Sequence, residues 1–454
     1  MSESRGSQNT FLLVPILLMA VLLATAVIRS PQLVTYSGLG SAIIVSAPLI
    51  LATYSLMALA IAGRGTVDLA VGPLLAFINV SIVQLNMHGI VTSPIGVFIV
   101  ALGMGVLYQL LFALMIIHVR VQPIIVALSG FLALSGINLV IMQRPGGMAP
   151  EWMGSWGLGI TIFSPVLLIL IIATGAWLLF TLTTFYGNLR LMGYDERAAY
   201  TSGVRINLAR TGAHVIAGLF VGLAAICYTA LIASGDPTQG TTMSLTAVTA
   251  VVLGGVSLAG GRGGAIGALL GALNLFLIGY VLATFNFGSI QAFVTQLSYG
   301  VILILSLLLT LLVPVIGRYL RFISPYTAFI ILGCIVAGIM LQVSTAVVPA
   351  PDEVAAAGTA VAAAPVLPET EDSTRYLLLP VADAVSIGKL QLSATQSAAF
   401  GLVALLLLLV ATMRMAAVEA VSLRLGVFLY VAGSGLIVML LVGVGALGVV
   451  GGAP

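Results

Sequence analysis

The sequence predicts an all-α polytopic membrane protein, with a core of about ten spans and a C-terminal extension of about three more. Of its 454 residues, 61% are hydrophobic and 6% are charged, and the mean hydropathy is +1.23. A soluble domain has about a quarter charged residues, so this chain could not cover a globule with polar surface. Apolar stretches also recur from Phe11 to Val450, and each is long enough for a helix of about 20 residues.

Breaker residues between the apolar runs give the approximate position of each span in the core. Arg5 and the apolar run after it resemble a signal peptide, but we expect an uncleaved first span there. The predicted core spans are residues 11–28, 41–62, 67–86, 93–117, 122–142, 162–185, 211–234, 244–260, 263–285 and 291–316.

The arginines predict the orientation of these spans. With a cytoplasmic N-terminus, only Arg29 and Arg144 fall outside. The arginines that then lie inside are Arg5, Arg64, Arg120, Arg190, Arg197, Arg205, Arg210, Arg262, Arg318 and Arg321. This bias follows the positive-inside rule, and it predicts a core with both ends in the cytoplasm.

A change of composition divides the chain into a core, residues 1–322, and an extension, residues 323–454. The extension contains an acidic Ala/Pro-rich stretch at 348–395, which is typical of a flexible outer loop. Its three apolar runs are residues 326–347, 396–413 and 425–448. We find no chemical motif in the extension.

Enzyme signatures are missing from the sequence. The single lysine, Lys389, is not in the Gly-Lys-Ser/Thr frame of a P-loop. The histidines are too scattered for a metal cluster, and we interpret each as an interfacial or packed side chain: His88, His118 and His214. We therefore expect that the protein is not an enzyme and has no metal and no cofactor of its own.

The most polar part of the core is the segment 187–210, between two spans on the predicted cytoplasmic side. Asp195 and Glu196 are placed to form the first turn of a short helix, where negative charge favours the dipole. Two alanines propagate that helix, and Gly203 is a natural C-terminal stop. We interpret the segment as a docking element for a cytoplasmic partner, and the alternative is a solvated loop.

Three motifs in the core resemble a known family, the permeases of monosaccharide-type ABC importers. "MGYDERAAYTSGVRI" is similar to the family's cytoplasmic coupling segment, with Asp195 in place of the usual Asn. "GRGTVDLAVGPLLA" at 63–76 is similar to G-G-I-D-L-S-V-G, and "LGGVSLAGGRGGAIGALLGA" at 253–272 to G-G-T-S-L-x-G-G-R-G-S. The motifs come in the family's order within residues 40–320, and the extension falls outside the pattern.

The resemblance implies the membrane subunit of an importer in a bacterial inner membrane. Its partners would be an ABC ATPase that holds ATP and Mg, a periplasmic solute-binding protein and a second permease subunit, identical or not. No nucleic acid is expected. The residues implied to couple to the ATPase are Gly193, Asp195, Glu196, Arg197, Ala198, Ala199, Ser202 and Gly203.

A second set of residues is assigned to the translocation pathway or to a break between helices. These residues are Asp68, Gly72, Gly254, Gly255, Ser257, Gly260, Gly261, Arg262 and Gly263. Gly263, Gly267 and Gly271 are spaced four apart and predict a small-residue face, with Gly267 and Gly271 assigned to helix packing. The other glycines allow a break, which a membrane tolerates only where protein or water satisfies the freed backbone groups.

Asp68 has two interpretations. A carboxyl group near an apolar span is costly and indicates function by default, so Asp68 could line the pathway and accept hydrogen bonds from a solute. Alternatively it lies in the first turn of the third span, at the inner surface, where exposed backbone N–H groups stabilise it.

The solute is predicted to be small, polar and uncharged, because the spans offer almost no buried charge. A monosaccharide is the first expectation, and a nucleoside or another small polar solute is the alternative within the superfamily. An ion-coupled secondary transporter is a further alternative, which would need buried coupling groups. Trp152 and Trp156, in a predicted outer loop, could contact the binding protein or anchor the chain at the membrane interface.

Overall fold

A computed structural model describes residues 12–63, 66–159, 162–285, 293–301 and 304 of the chain. Helices dominate this part, and the one β-bridge among these residues joins Gly146 to Gly235. The all-α polytopic fold class is confirmed. In chain order the helices are α1 (Leu13–Arg29), α2 (Tyr36–Ala62), α3 (Val71–Met87), α4 (Pro94–Leu114), α5 (Pro123–Ile141), α6 (Glu151–Gly157), α7 (Pro165–Phe180), α8 (Thr184–Tyr194), α9 (Glu196–Thr201), α10 (Ile206–Ile232), α11 (Gly240–Leu253) and α12 (Ala265–Ala283).

Five helices of the described part are long and apolar enough to cross a membrane: α2, α4, α5, α10 and α12. Helices α7 and α8 together pass the same test, but they are bent by 75° at the break between them. The apolar helices α1, α3 and α11 are shorter. The predicted count of about ten core spans therefore stays a prediction.

The chain divides into two units, Met1–Met340 and Leu341–Pro454. The predicted boundary at 322/323, the acidic loop at 348–395 and all three spans of the extension lie outside the described residues. The predicted last span of the core, 291–316, is described only at residues 293–301 and 304. These parts of the sequence analysis stay predictions.

Helix α2 forms the centre of the described unit and is 27 residues long. Nearly every side chain from Ala47 to Ala62 is buried, as expected of a helix that is apolar all round. Helix α10, also 27 residues long, packs along α2, and Tyr54 meets Phe220 edge to face with ring centroids 5.6 Å apart. The segments described below are connected to this pair of helices: the residues before α3 follow α2, and α8 and α9 precede α10.

The helices of the described unit end at two opposite sides, which are identified by contacts between the connecting segments. At one end, named here the α9 end, the residues after α2 meet α8 and the connection between α11 and α12. At the opposite end, Asn79 of α3 donates from Nδ2 to Thr229 Oγ1 at 2.9 Å and to the Ser234 carbonyl at 3.0 Å. Asn79 Oδ1 accepts from the Asp236 N–H at 2.8 Å, so this buried amide holds α3 to the segment after α10.

The same order of elements occurs twice in the described unit. Helices α2 and α10 are each followed by an irregular segment, then by a shorter helix, α3 or α11, and then by a longer one, α4 or α12. At about 1.5 Å per residue, α3 and α11 span only about 25 Å and about 21 Å, less than the hydrocarbon thickness of about 30 Å. Each short helix therefore covers only part of the membrane.

The two short helices begin side by side, at a place named here the α3–α11 junction. The Gly72 N–H donates to Ser244 Oγ at 3.0 Å, and that hydroxyl donates to the Leu69 carbonyl at 2.6 Å. A Cβ on Gly72 would clash with the Gly240 carbonyl oxygen. Glycine is therefore required at Gly72 by the close approach of two backbones.

Two predicted spans differ from the helices found. The span at 67–86 begins later, because α3 starts at Val71. The span at 244–260 is wrong in its second half, because α11 ends at Leu253 and an irregular connection follows to Ala265. Positive φ angles in that connection, 74° at Gly255 and 111° at Gly260, are incompatible with a continuous right-handed helix.

The two tryptophans of the predicted outer loop lie on the short helix α6. Trp152 Nε1 donates to the Thr92 carbonyl at 2.8 Å, and the rings of Trp152 and Trp156 meet edge to face at 4.8 Å. Both side chains are partly buried against the main core. These contacts fix α6 on the protein at the end opposite α9, and the choice between membrane anchor and binding-protein contact stays open.

Candidate coupling and translocation site

The predicted docking segment folds into two short helices, α8 and α9. Asp195 lies between them and caps α9, because its Oδ1 accepts from the N–H groups of Arg197 at 2.9 Å and Ala198 at 3.1 Å. Glu196 is in the first turn of α9, and Gly203 follows the helix with a φ of 84°. The predicted short helix is therefore present, with Asp195 as its N-cap residue instead of a member of its first turn.

One side of α9 is buried and the other is open. Ala199 is fully buried against the core, whereas Tyr200 is 73% exposed. The remaining predicted coupling residues of this helix and its end are exposed: Arg197, Ala198, Ser202 and Gly203. The helix thus presents a surface to the medium while Ala199 anchors it.

Replacing Asp195 with alanine should open α9 without affecting the rest of the unit. A lost N-cap costs about 0.5–2 kcal/mol, and a helix of six residues has little other local support. Hydrogen exchange at the Arg197 and Ala198 amides should accelerate by up to about tenfold for each 1.4 kcal/mol lost. Asp195→Asn, which can still cap, is the control, and equal protection in Asp195→Ala would contradict the capping role.

Glycines from all three sequence motifs meet behind the docking segment, in what we name the glycine junction: Gly63, Gly193, Gly260 and Gly261. A Cβ on Gly63 would lie 2.8 Å from the Gly193 Cα, and one on Gly260 would lie 2.6 Å from the Gly63 Cα. Gly63, Gly260 and Gly261 also have positive φ angles. The junction therefore depends on the absence of side chains.

Hydrogen bonds join the same three segments. The Gly261 N–H donates to the Ile61 carbonyl at 3.1 Å, and Arg190 Nε donates to the Gly261 carbonyl at 3.1 Å. The Tyr186 hydroxyl donates to the Gly263 carbonyl at 3.5 Å. Helix α8 is therefore tied directly to the end of α2 and to the connection between α11 and α12.

The predicted helix break is this connection, residues 254–264. Gly255, Gly260, Gly261 and Gly263 have positive φ, whereas Gly254 does not. Within it the Ser257 N–H donates to the Arg262 carbonyl at 3.1 Å. The Arg262 side chain is exposed at the α9 end.

The predicted small-residue face is present in part. A Cβ on Gly267 would clash with the Gly254 carbonyl oxygen, and one on Gly271 with the Ala250 carbonyl oxygen, so these glycines let α12 approach α11. Gly263 does not belong to that face, because it precedes α12 and lies against Val256 instead. The spacing of four places these residues on one side only where the backbone is helical.

Asp68 lies three residues before α3 and is fully buried. Its Oδ1 accepts from the Ala70 N–H at 2.8 Å, and its Oδ2 accepts from Gln109 Nε2 at 2.6 Å. A backbone N–H at the start of α3 does stabilise the carboxyl group, as the second interpretation expects, but Asp68 precedes the first turn, which begins at Val71, and its side chain is enclosed. Both carboxyl oxygens are already engaged by protein.

Gln109 connects Asp68 to a second helix. Its Oε1 lies 2.7 Å from His214 Nδ1 on α10, and all three side chains are buried. We name Asp68, Gln109 and His214 the polar relay. The histidine is packed, as predicted, whereas Gln109 was missed, although a lone glutamine in an apolar run was a signal that could have been followed.

The polar relay continues towards α9. Arg210 lies four residues before His214 on α10, so the two side chains share a helix face. Arg210 is 6% exposed, and its Nη2 lies 3.1 Å from Glu196 Oε2. Arg210 and His214, one turn apart on α10, thus place the Glu196 ion pair next to the polar relay, without a hydrogen bond between the two side chains among the described residues.

Two cavities lie on either side of the segment 66–73. A larger one of about 560 Å³ is at the α9 end, and its lining includes Thr66, Arg120 and Glu196. A smaller one of about 280 Å³ has Pro73 in its lining. Asp68 lines neither of them.

The fold and the site define a polytopic helical membrane protein with an exposed short helix, α9. The chain belongs to the family described as branched-chain amino acid transport system / permease component, whose sequence model matches residues 38–313. The match covers more than half of the chain and ends before the extension. It confirms the resemblance to the membrane subunits of ABC importers.

Individual relatives are similar over about half of this chain. The ribose import permease protein RbsC of Escherichia coli K12 is 29% identical over 249 residues, which are 53% of this chain and 76% of the relative. RbsC of Bacillus subtilis strain 168 is 28% identical over 250 residues, 54% and 76% of the two chains.

A third relative has a different named solute. The autoinducer 2 import system permease protein LsrD of Escherichia coli O9:H4 is 26% identical over 263 residues, which are 56% of this chain and 76% of the relative. A search of solved structures gives no match.

Proposed function

We propose that this chain is the membrane subunit of an ATP-driven importer that carries a small polar solute, a monosaccharide, across a bacterial inner membrane. A periplasmic binding protein delivers the solute, a second permease subunit completes the pathway, and a separate ATPase hydrolyses ATP with its own Mg. The N-terminus lies in the cytoplasm. Family membership supports the importer class, and the names of the ribose relatives support the solute class.

The observation that carries the proposal is the mounting of α9. Its outer side is open at Tyr200, which is 73% exposed, while its base is tied to the helices in two independent ways. The glycine junction joins α8 to α2 and to the α11–α12 connection. The ion pair of Glu196 with Arg210 leads to the polar relay.

Such a mounting suits a part that converts movement of a partner into movement of helices. Close-packed backbones have low compressibility and transmit a displacement. Contacts lined by glycine contain no side chain that could change its conformation instead. An ATPase that pushes on residues 193–205 would move the end of α2 and the start of α12 together. The buried relay would pass the same displacement to the α3–α11 junction.

Reconstitution tests the proposal directly. The chain is placed in proteoliposomes with the ATPase and the binding protein encoded beside its gene, and uptake of radiolabelled D-ribose, D-xylose and D-galactose is measured. We expect uptake of one of these sugars that needs ATP and all the proteins. Uptake driven by a proton or sodium gradient without the ATPase would overturn the proposal in favour of a secondary transporter.

Docking has its own test in the same complex. Ala198→Trp places a bulky side chain on the exposed side of α9, so ATPase retained on the purified permease should fall to background. Met148→Trp is the control, because Met148 is 72% exposed at the opposite end. Normal ATPase retention in Ala198→Trp would place the docking surface elsewhere.

A further inference from the structure

The smaller cavity lies where α5 passes the α3–α11 junction. Its volume is about 280 Å³, just below the range of about 300–1,000 Å³ typical of pockets for drug-sized ligands. The residues that line it are Pro73, Ser135, Leu139, Pro237, Thr238 and Gly240. A solute of monosaccharide size fits this space.

The lining is neutral and carries hydroxyl groups. Ser135 and Thr238 supply the hydroxyls, and Thr238 Oγ1 is oriented by its hydrogen bond to Asp236 Oδ1 at 2.7 Å. Asn138 is not in the lining; it is fully buried on α5 one turn after Ser135, and it donates to the carbonyl of the lining residue Pro73 at 3.0 Å. Hydroxyl groups in such a lining bind hydroxylated solutes.

Segment 66–73 reaches from this cavity to the larger one at the α9 end. It has Thr66 in the lining of the larger cavity and Pro73 in the lining of the smaller. Between them, Asp68 is held by Gln109, and the Leu69 carbonyl is held by Ser244. Gln109 belongs to α4 and Ser244 to α11, and the C-terminal ends of both helices lie towards the α9 end.

We propose that the cavity between α3, α5 and the start of α11 is a binding subsite for a small polyhydroxylated solute, and that segment 66–73 is the barrier between it and the cavity at the α9 end. The inference rests on the proposed importer function and deepens it. Ser135 and Thr238 contact the solute, and displacement of the barrier opens the way onward. Leu139, another lining residue, is 47% exposed.

Cysteine labelling tests the subsite in the complete importer. Ser135→Cys is made in a Cys227→Ala, Cys334→Ala background and treated with a membrane-impermeant maleimide, with and without D-ribose. We expect the introduced thiol to react, and D-ribose at about ten times its dissociation constant to slow the reaction about tenfold. The control is Ala133→Cys, which is exposed on the other side of α5, about 200° around the helix, where D-ribose should change nothing.

A blocking variant separates this proposal from the function it rests on. Ser135→Trp fills the subsite, so sugar uptake should be lost while the ATPase still co-purifies with the permease. Wild-type uptake in Ser135→Trp, or labelling of Ser135→Cys that no transported sugar slows, would overturn the subsite and leave the importer intact. Absence of ATP-driven uptake in the unmodified importer would instead overturn the proposed function. If D-ribose is not transported, the transported sugar of the panel replaces it in the labelling.

Discussion

Gly193→Ala should abolish solute uptake and lower the stability of the permease, although it adds a single methyl group. The new Cβ would clash with the Ile61 carbonyl oxygen and lie 2.5 Å from the Gly261 N. Both obstacles are backbone atoms that cannot rotate away, so α8 must shift from α2 and from the α11–α12 connection. Overpacking of this kind costs about 1–3 kcal/mol.

The same helix provides a matched control. Gly187, also on α8, has open space within 4 Å of the position that a Cβ would take, so Gly187→Ala should be accepted and should add up to about 1 kcal/mol through helix propensity. Thermal unfolding of the two purified variants and sugar uptake in proteoliposomes give the comparison. Normal uptake and stability in Gly193→Ala would show that the glycine junction is not a rigid contact.

Gln109→Leu should be the most damaging change in the polar relay. It removes the donor to Asp68 and the partner of His214 at once. Each buried group left without a partner costs about 1–3 kcal/mol, more where the group is charged. We expect a large loss of folded protein. In the protein that remains, ATP hydrolysis should no longer be coupled to sugar uptake.

A double-mutant cycle with Asp68→Asn separates the relay from a general loss of stability. Removing the carboxyl charge should recover part of the stability lost in Gln109→Leu, with a coupling energy of about 0.5–3 kcal/mol. The control cycle combines Asp68→Asn with Asn274→Leu, and the two effects should add. Asn274 is a buried amide on α12 that donates to the Pro15 carbonyl, away from the relay. Strict additivity of Asp68→Asn and Gln109→Leu would contradict direct contact between the two side chains.

Several features of the site could be predicted from the sequence because they depend on local chemistry. Asp195 caps α9 and Gly203 follows it, since carboxyl caps and left-handed glycines act within one turn. A break between the spans was likewise expected, because closely spaced glycines interrupt a helix, but it begins after Leu253 and not after residue 260. The start of α3 was misplaced, because extended residues such as those around Asp68 have no local signal that separates them from an apolar helix.

Contacts between distant parts of the chain could not be predicted in this way. Gln109 is 41 residues from Asp68 and 105 from His214, and no periodicity relates such positions. Helices α3, α4 and α10 must pack against one another before the Gln109 amide can reach Asp68 and His214. The cavity beside Ser135 is likewise a property of the space between helices, which no single segment defines.

The sequence by itself determined that the protein is a polytopic helical membrane protein with a polar docking segment, because composition, hydropathy and caps act residue by residue. Its motifs also placed it among the permeases before any contact was known. Only the tertiary structure decided that Gly63, Gly193 and Gly260 touch, that Asp68 is enclosed by protein, and that two cavities flank segment 66–73. The glycine contact depends on how closely α2, α8 and the α11–α12 connection approach one another. The enclosure of Asp68 and the cavities depend on the packing of α3, α4, α5, α10 and α11, and both kinds of distance are set between segments far apart in the chain.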